Sequence, residues 1–302
     1  FIINMRSAHT FHIPVMGKKA VSYLPKKNTL NVIDATFGGG GYSKLIIDKS
    51  EVSNLISIDR DPIAKKYTHY FKGKKNFKLF EGKFSQIDKL VSEHMNSNKI
   101  LGFDAIFFDL GLSSNQLNDS KRGFSIMKNG PLDMRMDSNG ISAYQVVNNF
   151  KEEEISRIIY EYGEERFAKS IAKKIIEHRK KKFIETTYEL ASIVKKGIKI
   201  PPKKNFKINP ATKTFQALRI FVNNELEEIK KTLINSEKLL LSGGRIIVVS
   251  FHSLEDRLVK DFFNHKSGKK WRSSRHYPEP SNTGKITLKI ITKKAIKPDD
   301  SE

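Results

Sequence analysis

The chain has 302 residues, 55 Lys and Arg against 33 Asp and Glu for a formal net charge of +22, and no cysteine. That length holds one large or two modest domains with full cores. The missing thiol excludes disulfides, thiolate metal sites and Cys nucleophiles, and no apolar run approaches the ~20 residues that span a bilayer.

The opening Phe1-Ile-Ile is too short for a signal-peptide core, so the expectation is a soluble cytoplasmic protein, whose Phe1 with Met5 close behind fits a displaced start or a trimmed chain. The positive charge points to a polyanion, nucleic acid first. It concentrates in residues 151–215, with 17 basic and 9 acidic side chains, and in residues 266–297, with 10 and 1. Lys, Ile and Asn are all abundant, as A/T-rich coding also produces, so charge alone decides nothing.

The first ~110 residues alternate strand and helix. Strand 30–34 is followed by a helix from Tyr42, a strand ending at Asp59, a helix from Pro62, a short strand at 77–80, a helix from Ser85 and a strand at 105–109. Pro62 suits a first helical turn, where a missing N–H costs nothing. Asp34, Asp59 and Asp109 each close an apolar run, which places three carboxylates at the carboxyl edge of one parallel sheet, where open α/β folds bind ligands. A polar, glycine-punctuated stretch runs from Gly111 to Gly140, and helices without intervening strands follow. Ile155, Ile158, Ile159 and Tyr162 share one face ended by Gly163, Ala168 to Ile176 form the next, and Thr186 with Glu189 makes a capping box for a third. After Pro210 a long helix carries Ala211, Phe215, Leu218, Val222, Leu226, Ile229 and Leu233, then strands are expected at 245–251 and 286–292. The division is a core in two parts, 1–112 and 210–302, interrupted by an inserted all-helical substrate-recognition domain at 113–209.

The most telling segment is LNVIDATFGGGGYS, residues 30–43, a strand that breaks into four glycines and continues as a helix. Glycines 38 to 41 let the backbone turn sharply and approach a ligand. Eighteen residues after Gly41 stands Asp59, at the distance of a carboxylate that grips a ribose diol. A dinucleotide fingerprint counted from Gly38 would need glycine where Ser43 stands, and a Walker loop would need lysine where Tyr42 stands. S-adenosylmethionine has a ribose and an adenine but no phosphates, so a methyltransferase is favoured over a dinucleotide enzyme and over a plain glycine turn.

Residues 109–116, DLGLSSNQ, and 122–137, RGFSIMKNGPLDMRMD, resemble the bacterial small-subunit rRNA cytosine-N4 methyltransferases, the RsmH/MraW family. The resemblance continues through HIPV at 12–15, YGEERFA at 162–168, PATKTFQA at 210–217 and SFHSLEDR at 250–257, so it covers nearly the whole chain in order. It implies an α/β fold, a Rossmann-like S-adenosylmethionine-dependent core with a helical insertion, and as substrate a cytosine in the decoding region of 16S rRNA in the small ribosomal subunit. It also implies a cofactor held by Gly40, Gly41 and Tyr42, with its ribose on Asp59, its adenine near Phe84, and Asp109 and Gln116 completing the pocket. The family usually has His at the positions of Tyr42 and Asn209. Its members continue with an Arg/Ser-rich segment and a closing strand past the point where this chain ends at Glu302.

Cytosine accepts methyl at C5 or N4, and C5 chemistry requires a Cys thiolate. N4 remains, with Asp109 as the catalytic hydrogen-bond acceptor or, alternatively, as a cofactor ligand only. The loop 122–137 is read as a lid over a single-stranded or flipped base, with Phe124 for stacking and Arg122 and Arg135 for phosphates, against a packed Ω-loop. Asp133, Asp137 and Asn139 before Gly140 do not align as a calcium loop, and no metal is expected. His252 between Ser250 and Ser253 does not build a hydrolase triad and is read as touching substrate or, alternatively, as simply packed. The run HRKKKF at 178–183 is an RNA contact or a solvated helix end. Two rivals stand beside the main reading: a cofactor-dead RNA-binding assembly factor, and a DNA amine methyltransferase, whose Asp/Asn-Pro-Pro-aromatic motif is here Asp109-Leu-Gly-Leu. A monomer or homodimer is expected.

Overall fold

Five runs rich in β-branched and aromatic residues pair into one parallel sheet: β1 Leu30–Asp34, β2 Val52–Asp59, β3 Phe77–Glu81, β4 Phe103–Asp109 and β5 Leu240–Val249, in the order β3-β2-β1-β4-β5. The computed structural model describes residues 14–137, 139–198, 209–269 and 286–298; His12 and Ile13 of the first motif, and residues 270–285 of the basic stretch 266–297, lie outside them. Val32 stands opposite Leu55 on one side and Ala105 on the other, and Asp109 opposite Val249. The inner strands do not alternate apolar and polar residues, because both faces of a parallel sheet are covered. Val32, Ile33, Ile56, Ile58 and Ile106 are fully buried, each contributing about 1.5–3 kcal/mol. The chain winds outward from β1 to β3 and then returns to the other side of β1 with β4. The switch point therefore lies between β1 and β4, where open α/β sheets form their ligand crevice.

Local chemistry sets the connections. Asp61 accepts the Ile63 N–H and Pro62 opens the following helix, which is a 3-10 helix, Pro62–Phe71, rather than the α-helix expected. The α-helices that accompany the sheet in sequence include Gly41–Lys49, Ile87–Ser97 and Ser253–Lys266.

The chain divides into two compact units, one of residues 1–111 with 229–302 and one of residues 112–228. The second boundary thus falls at 228/229 instead of 209/210, because the helix Thr212–Asn223 packs on Glu152–Gly163. A Cβ on Gly163 would stand 2.6 Å from the Lys213 carbonyl, Gln216 Nε2 donates to the Tyr162 carbonyl at 3.1 Å, and Lys213 Nζ donates to that of Glu164 at 2.9 Å. Gly163 is a packing glycine; the left-handed residue that ends its helix is Glu164, φ 48°. The single long helix expected after Pro210 is two, Thr212–Asn223 and Glu225–Leu239, broken at left-handed Asn224, φ 51°. Asn tolerates that conformation, and an apolar period that continues through the break conceals it.

The core of the helical unit gathers Ile155, Ile158, Ile159, Ile171, Ile175, Leu190, Val194, Phe215 and Leu218. The capping box of Thr186 and Glu189 opens the helix Thr187–Gly197 as expected. Buried Asn223 ties the loop 122–137 to this core: its Oδ1 accepts the Met136 N–H at 2.7 Å, and its Nδ2 donates to the carbonyls of Met134 at 2.7 Å and Arg219 at 2.9 Å. Asn223→Ala leaves a buried backbone donor and acceptor unmatched. The expected loss is about 2–4 kcal/mol, read as a lower urea midpoint; an unchanged midpoint would mean that the loop does not depend on this tie.

Residues 286–292 do not form the expected strand. The Thr287 and Leu288 amides both donate to the Lys266 carbonyl at 3.1 Å, Thr287 Oγ1 donates to Glu237, and Ile286 and Ile291 face solvent. A strand exists only within a ladder, and these amides are used at a helix end instead. Among the described residues no helix is long and apolar enough to cross a membrane.

Candidate active site

The glycine turn is built by the strand ends around it. Ala35 N–H donates to the Phe107 carbonyl at 2.9 Å and Phe37 N–H to that of Ile58 at 3.0 Å, which pins the segment after β1 to both neighbouring strands. Gly38 and Gly40 take φ of 53° and 80°, and a Cβ on Gly40 would stand 3.0–3.2 Å from the Phe37 and Phe71 rings. Gly41 starts the helix, and no side chain caps it. Ser43, at the place of a third glycine, is fully buried; its Oγ donates to Asp34 Oδ2 at 2.6 Å and lies 2.8 Å from Ser57 Oγ. The serine is a polar strut between strand and helix, which is why the dinucleotide fingerprint fails here.

The three carboxylates have different surroundings. Asp34 is fully buried and internal, accepting from Ser43 Oγ and the Thr36 N–H, and burial pushes it up to about 6. Asp59 accepts the Gly38 N–H at 2.6 Å and the Asp61 N–H at 2.8 Å; burial raises it to about 6 against the pull of those amides. Asp109 is held through its backbone, whose N–H donates to Thr36 Oγ1 at 2.7 Å. Its Oδ1 is screened from solvent and accepts no hydrogen bond from any described residue. Burial first, then the charges of Asp34 and Glu255, push Asp109 up to about 7. Phe84 opens a short 3-10 turn after β3 with its half-buried ring edge-on to Phe108, centroids 6.3 Å apart.

Gly40, Gly41, Asp59, Phe84 and Asp109 therefore gather along one edge. The Tyr42 side chain is engaged elsewhere: its hydroxyl donates to the Val15 carbonyl at 2.5 Å and its buried ring lies against Phe107. His252 is not on a strand: it is the N-cap of Ser253–Lys266, its Nδ1 accepting the Glu255 N–H at 3.4 Å and its Nε2 standing 3.0 Å from Glu255 Oε1. Its ring is largely buried, so the structure gives it a capping role in place of substrate contact.

The remaining predicted residues belong to the helical unit. Gln116 closes a capping box, its Oε1 accepting the Ser113 N–H at 3.0 Å. Arg122 donates to the Arg135 and Met136 carbonyls, each at 2.9 Å, and lies over the Phe124 ring. Arg135 forks onto Asp133, Nε to Oδ1 at 2.7 Å and Nη2 to Oδ2 at 3.1 Å. Phe124 is 6 % exposed and part of the unit's core, which leaves no ring face for a base; the stacking role expected of it is corrected. The loop 122–137 is stapled by its own guanidinium groups. Sequence reasoning missed the roles of Thr36 and Ser43, whose partners are distant in the chain, of Glu255, which answers the neighbouring Phe251 and His252, and of Phe251, expected as the last residue of a strand that in fact ends at Val249.

A parallel sheet of this order, with a glycine turn after β1, an acid closing β2 and an acid closing β4 at the switch point, defines a Rossmann-like methyltransferase. Comparison with known proteins narrows the class. The chain belongs to the MraW methylase family, whose profile matches residues 9–302. It is 43% identical over 296 residues to the ribosomal RNA small subunit methyltransferase H of Paramagnetospirillum magneticum, covering 96% of this chain and 90% of that one. The proteins of the same name from Caldicellulosiruptor saccharolyticus and Rickettsia felis are 46% and 41% identical, again over 96% of this chain and 93% and 92% of theirs.

Proposed function

We propose that the protein transfers the methyl group of S-adenosylmethionine to the exocyclic N4 of a cytosine in the decoding region of 16S rRNA in the small ribosomal subunit, and that it works in the cytoplasm. The observation that carries this reading is the half-buried Asp109 carboxylate, whose Oδ1 is screened from solvent and accepts no hydrogen bond from any described residue, at the switch point beside the glycine turn. The residues present fit the cofactor. Asp59 offers a carboxylate to a ribose diol, the turn at Gly40 and Gly41 has no Cβ in the way, and Phe84 presents a ring beside the edge. The relatives' names point to small-subunit ribosomal RNA, the resemblance of the motifs adds a decoding-region cytosine, and the absence of a cysteine from the chain favours N4 over C5.

When bound, S-adenosylmethionine supplies an electrophilic methyl on a positively charged sulfur. The N4 lone pair is delocalised into the pyrimidine ring, so Asp109 Oδ1 first accepts an N4–H and aligns the amine. On transfer, with the N–CH3 bond formed at the expense of the S–CH3 bond, N4 would take the positive charge, and Asp109 would accept its proton and release it to solvent. Proximity and alignment contribute most of the acceleration.

Asp109 must be ionised to act, and an ionised neighbour favours the sulfonium. Titrated by calorimetry from pH 6 to 8, S-adenosylmethionine is expected to gain affinity through about pH 7, whereas S-adenosylhomocysteine, with a neutral sulfur, changes less. Parallel curves would separate Asp109 from the sulfur. The functional test is transfer of labelled methyl to small subunits lacking the modification, followed by nucleoside mass spectrometry and mapping. N4-methylcytosine in the decoding region is expected; label in DNA alone would overturn the substrate.

A further inference from the structure

Past Asp109 the carboxyl edge ends at β5, and the residue there is an aromatic in the open. Phe251 is 54% exposed; among the described residues of its unit, every other Phe and Tyr is buried or half-buried. It is held in place from both sides. Leu110 N–H donates to the Val249 carbonyl at 2.9 Å, continuing the β4 and β5 ladder past Asp109, and Phe251 N–H donates to buried Glu255 Oε2 at 2.9 Å. His252 then caps the next helix. The ring lies over the turn that follows Asp109: a Cβ built on Gly111, φ 97°, would meet Phe251 Cδ2 at 3.5 Å.

We propose that Phe251 is the platform on which the target pyrimidine stacks while its exocyclic amine faces Asp109. The inference rests on the reading of this edge as the methyl-transfer site. Strand order supplies the direction: the ribose acid Asp59 closes β2, on the far side of β1, so a nucleoside cofactor stretched from β2 to the switch point leaves the end of β5 for the second reactant. The DLGL segment itself carries no aromatic, and Phe124 is in a core. An aromatic face is what an unstacked base needs on leaving its neighbours.

The test compares Phe251→Ala, Phe251→Leu and Phe251→Trp on unmodified small subunits, with cofactor affinity measured by calorimetry. Phe251→Ala is expected to lower kcat/KM for subunits roughly 5- to 150-fold with S-adenosylmethionine affinity within about twofold of wild type. Phe251→Leu, which keeps apolar bulk without a π-face, should stay near Ala, and Phe251→Trp should recover most of the rate. Leu as active as Phe, or a loss of cofactor affinity and melting temperature in step with activity, overturns the platform. A wild-type protein that transfers no methyl to subunits would instead overturn the reading of the edge, and the platform with it.

Discussion

Asp109→Asn is expected to cut methyl transfer about 10²- to 10⁴-fold and, at the same time, to remove a pH-dependent weakness of the cofactor-free fold. The substitution keeps the shape of the side chain and removes its capacity to take the N4 proton. The stability effect follows from linkage. Asp109 stands at about 7 in the folded protein, above its ordinary value, so the folded state binds more protons than the unfolded state between about pH 4 and 7, and stability falls as pH rises through that window. Asp34 and Asp59, raised to about 6, act in the same direction. Asn does not titrate. The melting temperature of the variant relative to wild type should therefore rise between pH 5 and pH 8, whatever the fixed cost of burying its amide. A relative melting temperature that stays flat across this range would show that burial does not raise Asp109, and a variant that retains full activity would show that Asp109 is not used in transfer.

That opposition between stability and activity marks which parts of the site are legible in a sequence. The sheet is, because continuous apolar runs ending in acids have few other uses, and the glycine turn is, because consecutive glycines cost conformational entropy that an ordinary loop avoids. What is not legible is how a polar or aromatic side chain is spent. Arg122 and Arg135 carry the charge of phosphate ligands, yet their guanidinium groups bind carbonyls and a carboxylate of their own loop. Phe124 and Phe251 are both aromatics in polar surroundings, and only packing separates the core residue from the exposed one. The break at Asn224 is hidden for a related reason: two consecutive amphipathic helices share a period with one long helix. Ser43 departs from a known fingerprint because its hydroxyl answers a buried carboxylate that only the folded chain brings to it.

The loop 122–137 provides the second large effect. Gly130→Ala is expected to destabilise the helical unit by about 3 kcal/mol or more, because a Cβ on Gly130 would stand 1.7 Å from the Ser120 carbonyl oxygen, a covalent distance that no side-chain rotation relieves. The backbone cannot move away cheaply. Gly130 N–H donates to Thr187 Oγ1 at 3.2 Å and its carbonyl accepts the Thr187 N–H at 2.9 Å, while Pro131 pairs with Thr186 and Leu132 N–H donates to the Glu185 carbonyl at 3.2 Å. A shift at Gly130 would disturb the start of the helix Thr187–Gly197, whose capping box begins at Thr186. Gly73→Ala is the control: φ is 83° and nothing lies within 4 Å of its Cβ, so only backbone strain of about 1–2 kcal/mol is expected. The comparison is made by urea denaturation with limited proteolysis of the loop. If Gly130→Ala costs no more than Gly73→Ala, the loop yields without loss and is adaptable enough to serve as a lid. If the cost is as large as expected, the loop is a rigid part of the helical unit, and base capture depends on groups that are free to meet it.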